Sequence, residues 1–66
     1  MEIKILRTRA NLTQGQLAEK LGVDRSTVAY WDANAAYPRA ELLPRIADAL
    51  GCSIDALFGR DSAAQV

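Results

Sequence analysis

The chain has 66 residues, half of them apolar, with eight basic and eight acidic side chains, one cysteine and no histidine. That length holds one small domain, which on folding buries only about 60% of its unfolded surface. The composition excludes an internal disulfide, histidine- and cysteine-based metal sets and the usual nucleophile and base pairs, and no glycine-rich phosphate loop is present, so an enzyme is not expected.

The spacing of apolar residues is helical throughout, and strand-like alternation is absent. Ile3, Leu6 and Ala10 recur at i, i+3 and i+7, an amphipathic first helix with Lys4, Arg7 and Arg9 on its other faces and Asn11 as a left-handed C-cap. The second helix has a complete set of start signals. Thr13 is its N-cap, Gln16 closes a capping box, and Leu12 and Leu17 are placed as a hydrophobic staple. Leu17, Ala18 and Leu21 form one apolar face, and Gly22 stands where a left-handed C-cap is wanted. A third helix restarts at once, with Asp24 as N-cap and Val23 and Val28 as a second staple.

A turn this short, with apolar residues on both sides, makes the second and third helices cross steeply around a shared core, which is a helix-turn-helix arrangement. Val28 and Trp31 then point inward, and Trp31 is expected in the core rather than as a stacking platform. Arg25, Ser26, Ala29 and Tyr30 are left on the outer face, as a DNA reader needs. Ala33 and Asn34 end the third helix, and Asn34 tolerates the left-handed conformation.

The loop continues through Ala35, Ala36, Tyr37 and Pro38. A fourth helix is expected from Ala40 or Glu41 to Leu50, with Pro44 in its first turn, Leu43, Ile46, Ala47 and Leu50 on its apolar face and Gly51 closing it. Cys52 follows as a small buried hydrophobe. Ser53 caps a short fifth helix through Phe58, with Asp55 in its first turn, Leu57 inward and Gly59 at its end. The expected architecture is therefore all-α: a compact five-helix bundle over residues 1 to 59 with a flexible tail at 60 to 66.

The overall charge balance lacks the basic footprint usual in nucleic-acid binders. Through Tyr30, however, the chain is net +2 and the remainder net −2, so the basic excess lies in the half of the chain that carries the motif. Arg25, in the first turn of the third helix, is the candidate for a bidentate bond to guanine, against the plainer reading of a solvated surface arginine. Ser26 could bond a base or phosphate, Tyr30 could contact a thymine methyl or a phosphate oxygen, and Ala29 completes the base-facing set. At the start of the second helix Gln14 could meet a phosphate or simply face solvent. Thr27 and Asn34 are weaker phosphate candidates, since either could serve only to cap or turn the backbone. Tyr37 is open to packing, phosphate bonding or a partner.

The chain also resembles the Cro/phage-repressor-like, or XRE-type, helix-turn-helix domains. The matching segments are Leu-Arg at 6 and 7, Leu-Thr-Gln at 12 to 14 and Leu-Ala-Glu-Lys-Leu-Gly-Val at 17 to 23. They continue with Ser-Thr-Val at 26 to 28, Trp-Asp at 31 and 32, Pro38, Ile-Ala-Asp-Ala-Leu-Gly at 46 to 51 and Leu-Phe-Gly at 57 to 59. Together they cover residues 3 to 59 and imply a lambda-repressor-like fold. By the same resemblance, Arg25, Ser26 and Tyr30 take the family's base-facing positions and Gln14 its phosphate position.

The resemblance further pairs Arg7 with Asp32 in a largely buried salt bridge. Leu6 and Trp31, each one residue before a member of the pair, support this placement. The acid is aspartate where the family usually has glutamate, so the bond is expected to be strained or water-bridged. Ala35 and Ala36 depart from the basic or polar residues the family often has in this loop.

These readings lead to a cytoplasmic, sequence-specific DNA-binding transcriptional regulator, with repression the expected sense. It would act as a homodimer on a palindromic operator in double-stranded DNA, without cofactor, metal, membrane association or small-molecule ligand. The candidate dimer surface is the fifth helix and tail, through Ile54, Phe58 and Val66. The alternative is a protein-interaction or antitoxin-like module on the same scaffold, which the neutral charge and the alanine loop favour.

Overall fold

A full capping box at Thr13 starts the second helix. In the computed structural model, which describes residues 1–60, Thr13 Oγ1 accepts a bond from the Gln16 amide at 3.0 Å, and Gln16 Oε1 accepts one from the Thr13 amide at 2.9 Å. From this cap α2 runs Gln14–Leu21. It is preceded by α1, Ile3–Arg9, and followed by α3, Arg25–Asp32. A 3₁₀ turn at Ala40–Leu42 leads into α4, Leu43–Leu50, and a single turn, α5, Ile54–Leu57, completes the described residues. The tail expected at 60 to 66 lies outside them beyond Arg60.

All five helices end in the same way. At Gly22, with φ +73°, the Val23 amide donates to Ala18 O and the Gly22 amide to Glu19 O, at 3.0 and 3.3 Å. This double bond pattern is the Schellman motif, which needs a left-handed residue just past the helix. The pattern recurs at Asn11, Asn34, Gly51 and Gly59, each with positive φ. The two asparagines take the role because their short polar side chains lower the cost of the left-handed region. The residue after the stop turns back toward the core: Leu12, Val23 and Cys52 all pack against it. A left-handed residue thus both ends each helix and redirects the chain within one or two residues.

The core consists of Ile3, Leu17, Ala18, Leu21, Val28, Trp31, Leu42, Ile46, Ala47, Leu50 and Leu57. The helix-turn-helix forms its centre, with α2 packed on α3 and on α4, α1 against α3, and α5 closing against α4. The Glu2 amide donates to Leu57 O at 2.8 Å, tying the start of α1 to α5.

Three local expectations need correction. Asp24 occupies the N-cap of α3 with extended backbone, but its side chain makes no capping bond. The Thr27 amide is bonded instead by the Asp24 carbonyl at 3.0 Å, and Asp24 is exposed. Leu42, in the 3₁₀ turn four residues before Ile46, is the first buried position of the fourth helical region, while Leu43 packs against the core only partly buried. Pro44 still falls in the first turn of α4, where no amide is needed. Cys52 is only half-buried, and burial pushes its thiol pKa up.

Candidate nucleic-acid interface

The inner face of α3 is held by Val28, fully buried, and Trp31, nearly so. That anchoring leaves the opposite face free: Arg25, Ser26 and Tyr30 are exposed and Ala29 is half-buried between them. The structure therefore brings the four candidate base-facing residues onto one solvent surface. A helix in this presentation fits the B-DNA major groove, which is about 12 Å wide.

Beside that face lies the start of α2. With Thr13 and Gln16 closing the capping box, the amides of Gln14 and Gly15 have no bonding partner among the described residues. Unpaired amides at the positive end of a helix dipole are an anion site. Gln14 itself is half-buried, and its Nε2 donates to Asp32 Oδ2 at 3.0 Å. It is neither a simple solvent-facing helix starter nor fully free, since one amide hydrogen is already engaged.

Asp32 holds the elements around this site together. Its Oδ2 also accepts from Arg7 Nη2 at 2.8 Å, and Arg7 Nη1 donates to Leu12 O at 2.7 Å. The Arg7 and Asp32 side chains are 12% and 6% exposed, so the pair is largely buried. The expected strained or water-bridged bond is replaced by a direct one. A single carboxylate oxygen serves both donors, while Asp32 Oδ1 and Arg7 Nε have no partner among the described residues. One oxygen thus ties α1, the start of α2 and the end of α3 together.

The remaining candidates are more dispersed. Thr27 is half-buried and lines a groove with Val23, Trp31, Tyr37, Arg39 and Leu42. Asn34 accepts a bond from the Met1 amine at 2.9 Å through Oδ1. Tyr37 is 74% exposed and so is not a core residue.

Sequence reasoning missed two residues here. Gly15 stands beneath Arg25: a Cβ on Gly15 would meet Arg25 Cδ at 3.7 Å, so the aliphatic stem of Arg25 lies across the first turn of α2. A glycine inside a helix start was the available signal. Arg39 is the one cation of the loop after α3, lying 3.5 Å from Glu41 with both side chains largely exposed.

Because a Cβ at Gly15 meets only ordinary contacts and its φ is not positive, Gly15→Ala is expected to raise stability by roughly 0.5 to 1 kcal/mol. Chemical denaturation checks this. A loss would show that the Arg25 stem has no room to shift.

No helix among the described residues is long and apolar enough to cross a membrane. No group of three or more histidine, cysteine or acidic residues that could hold a metal is found among them.

A compact helical fold, with one helix anchored on its inner face and bare on its outer face beside a helix start with free amides, defines a helix-turn-helix DNA-binding domain. The chain belongs to the helix-turn-helix family, whose model matches residues 3–57, and within it to the XRE-type group. It is 41% identical over 57 residues to the HTH-type transcriptional activator BcrR of Enterococcus faecalis, covering 86% of this chain and 28% of that protein. It is 39% identical over 54 residues to the cryptic phage CTXphi transcriptional repressor RstR of Vibrio cholerae, covering 82% and 48% respectively. The immunity repressor protein of Bacillus phage phi105 is 37% identical over 60 residues, covering 91% and 42%. The chain thus spans less than half the length of each of these relatives.

Proposed function

We propose that this domain is a sequence-specific transcriptional regulator that inserts α3 into the major groove of a palindromic operator. The observation that carries this reading is the exposed Arg25, Ser26, Ala29 and Tyr30 face on a helix locked from behind by Val28 and Trp31. In this reading Arg25 bonds a guanine edge, Ser26 and Tyr30 contact neighbouring bases or phosphates, and Ala29 leaves room for a base. Gln14, with the free amides of α2, takes a phosphate, while Thr27, Asn34 and Tyr37 contact the DNA backbone and Arg39 adds a cation.

One recognition helix spans few base pairs, so the protein acts as a homodimer on half-sites about 34 Å apart. Repression is the proposed sense, in line with two of the three relatives above.

Selection of bound sequences from a random DNA pool at near-physiological salt tests the reading, and an enriched palindrome is expected. Affinity should fall only shallowly with salt, on the order of a few phosphates neutralised per protomer, because the basic groups near α3 are few. A slope as steep as that of a strongly basic repressor, about −10, would contradict the phosphate set. A selection that enriches nothing favours the second reading, a protein-interaction or antitoxin-like module, to which the zero net charge and exposed Ala35 and Ala36 point.

A further inference from the structure

The outer face of α1 takes no part in the interface above, yet it is built as a groove. Glu2, Ile5, Leu6 and Arg9 form one wall, with Ala56 and Gly59 from the α5 region opposite. Ile5 is 51% exposed, although no function described so far needs an isoleucine there. Glu2 is held in place: its amide bonds Leu57 O, and its carboxylate lies along Gly59, with Oε1 3.4 Å from where a Cβ would stand. Neither Glu2 nor Arg9 has an ion-pair partner among the described residues.

We propose that this face docks a second copy of the chain, with the two α1 helices packed antiparallel across a two-fold axis that passes midway between Ile5 and Leu6. The charge pattern selects this occupant. Measured along the helix, Glu2 and Arg9 lie at equal distances on either side of that axis, about 5 Å each at 1.5 Å per residue. The same operation that sets Ile5 against the partner copy's Leu6 therefore brings Glu2 against its Arg9, twice over. A two-fold contact requires this self-complementarity, because each patch must match its own rotated image. The apolar centre flanked by charges also has the anatomy of a small interface, with a dry middle and a polar rim. Small residues at Ala56 and Gly59 leave room beside α1 for the incoming helix. Ile54 and Phe58, 40% and 53% exposed, are then not the centre of the contact.

The same two charges also suit the helix dipole, acid at the start and base at the end, and this provides a discriminating test. The 66-residue chain is studied without DNA by sedimentation equilibrium over a concentration series, with circular dichroism to follow folding. Ile5→Lys, Glu2→Arg and Arg9→Glu should each weaken self-association by about tenfold, since each sets like charges or a buried cation against the partner twice. The double reversal, Glu2→Arg with Arg9→Glu, should restore association to within about threefold of the parent, because the pairing is re-formed with opposite sign. A role confined to the dipole predicts no change in association from the single variants.

The proposal is overturned if the parent stays monomeric into the millimolar range, or if the double reversal associates no better than the singles. It is equally overturned if Ile54→Lys and Phe58→Lys abolish association while the α1 variants leave it intact. Because no DNA is present, a failure here leaves the DNA-binding reading standing, and a failure to bind DNA leaves this one standing.

Discussion

Asp32→Ala is expected to cost about 3 to 5 kcal/mol of folding stability, the usual cost of breaking a buried ion pair on one side. The reason is specific to the geometry. Asp32 Oδ2 is shared by Arg7 and Gln14, and Arg7 is only 12% exposed with one hydrogen-bonding group already unpaired. Removing the carboxylate strands a guanidinium that cannot deprotonate, together with a half-buried amide. A domain of 66 residues has only about 3 to 10 kcal/mol of stability in total, so this change should leave much of the population unfolded.

Arg7→Ala should be milder. The remaining acid keeps its bond from Gln14. Denaturant unfolding of both single variants and the double variant measures the coupling, and the double variant should lose clearly less than the sum. Losses below about 1 kcal/mol in both singles would mean the pair behaves as a surface contact despite its burial.

Arg25→Ala is expected to remove roughly 1 to 3 kcal/mol of affinity for the selected operator and to relax preference at one guanine position, with little change in stability. Arg25 is exposed and makes no hydrogen bond or ion pair among the described residues, so the fold does not depend on its charge. Its stem against Gly15 limits how far the guanidinium swings, which favours a defined base position over a diffuse backbone contact. Quantitative binding to the operator, to a variant changed at that guanine and to unrelated DNA separates the outcomes. An equal loss on all three would make Arg25 a phosphate contact, and the specificity would then rest on Ser26 and Tyr30.

Most of the fold could be read locally. Thr13 with Gln16, Ser53 ahead of α5, and the left-handed stops at Asn11, Gly22, Asn34, Gly51 and Gly59 all lie where the residue types place them. Caps and stops are satisfied within five residues of chain, so short-range sequence contains everything needed to predict them. The errors came where two local solutions compete. The Thr27 amide is bonded by the Asp24 backbone carbonyl and not by its side chain, and Leu42, in the 3₁₀ turn before α4, is buried while Leu43 is only partly so.

By itself the sequence determined the number and order of the helices, the inward set Val28 and Trp31, and hence the outward set Arg25, Ser26, Ala29 and Tyr30, because helical period leaves no other arrangement. Only the tertiary structure decided that Gln14 turns one amide hydrogen to Asp32, that the Arg25 stem lies on Gly15, and that Glu2 lies beside Gly59 in a groove with Ile5 and Arg9. Each of these joins residues from different helices. The chain's local preferences do not specify which side chains meet there; the angles at which α1, α2, α3 and α5 pack on one core do.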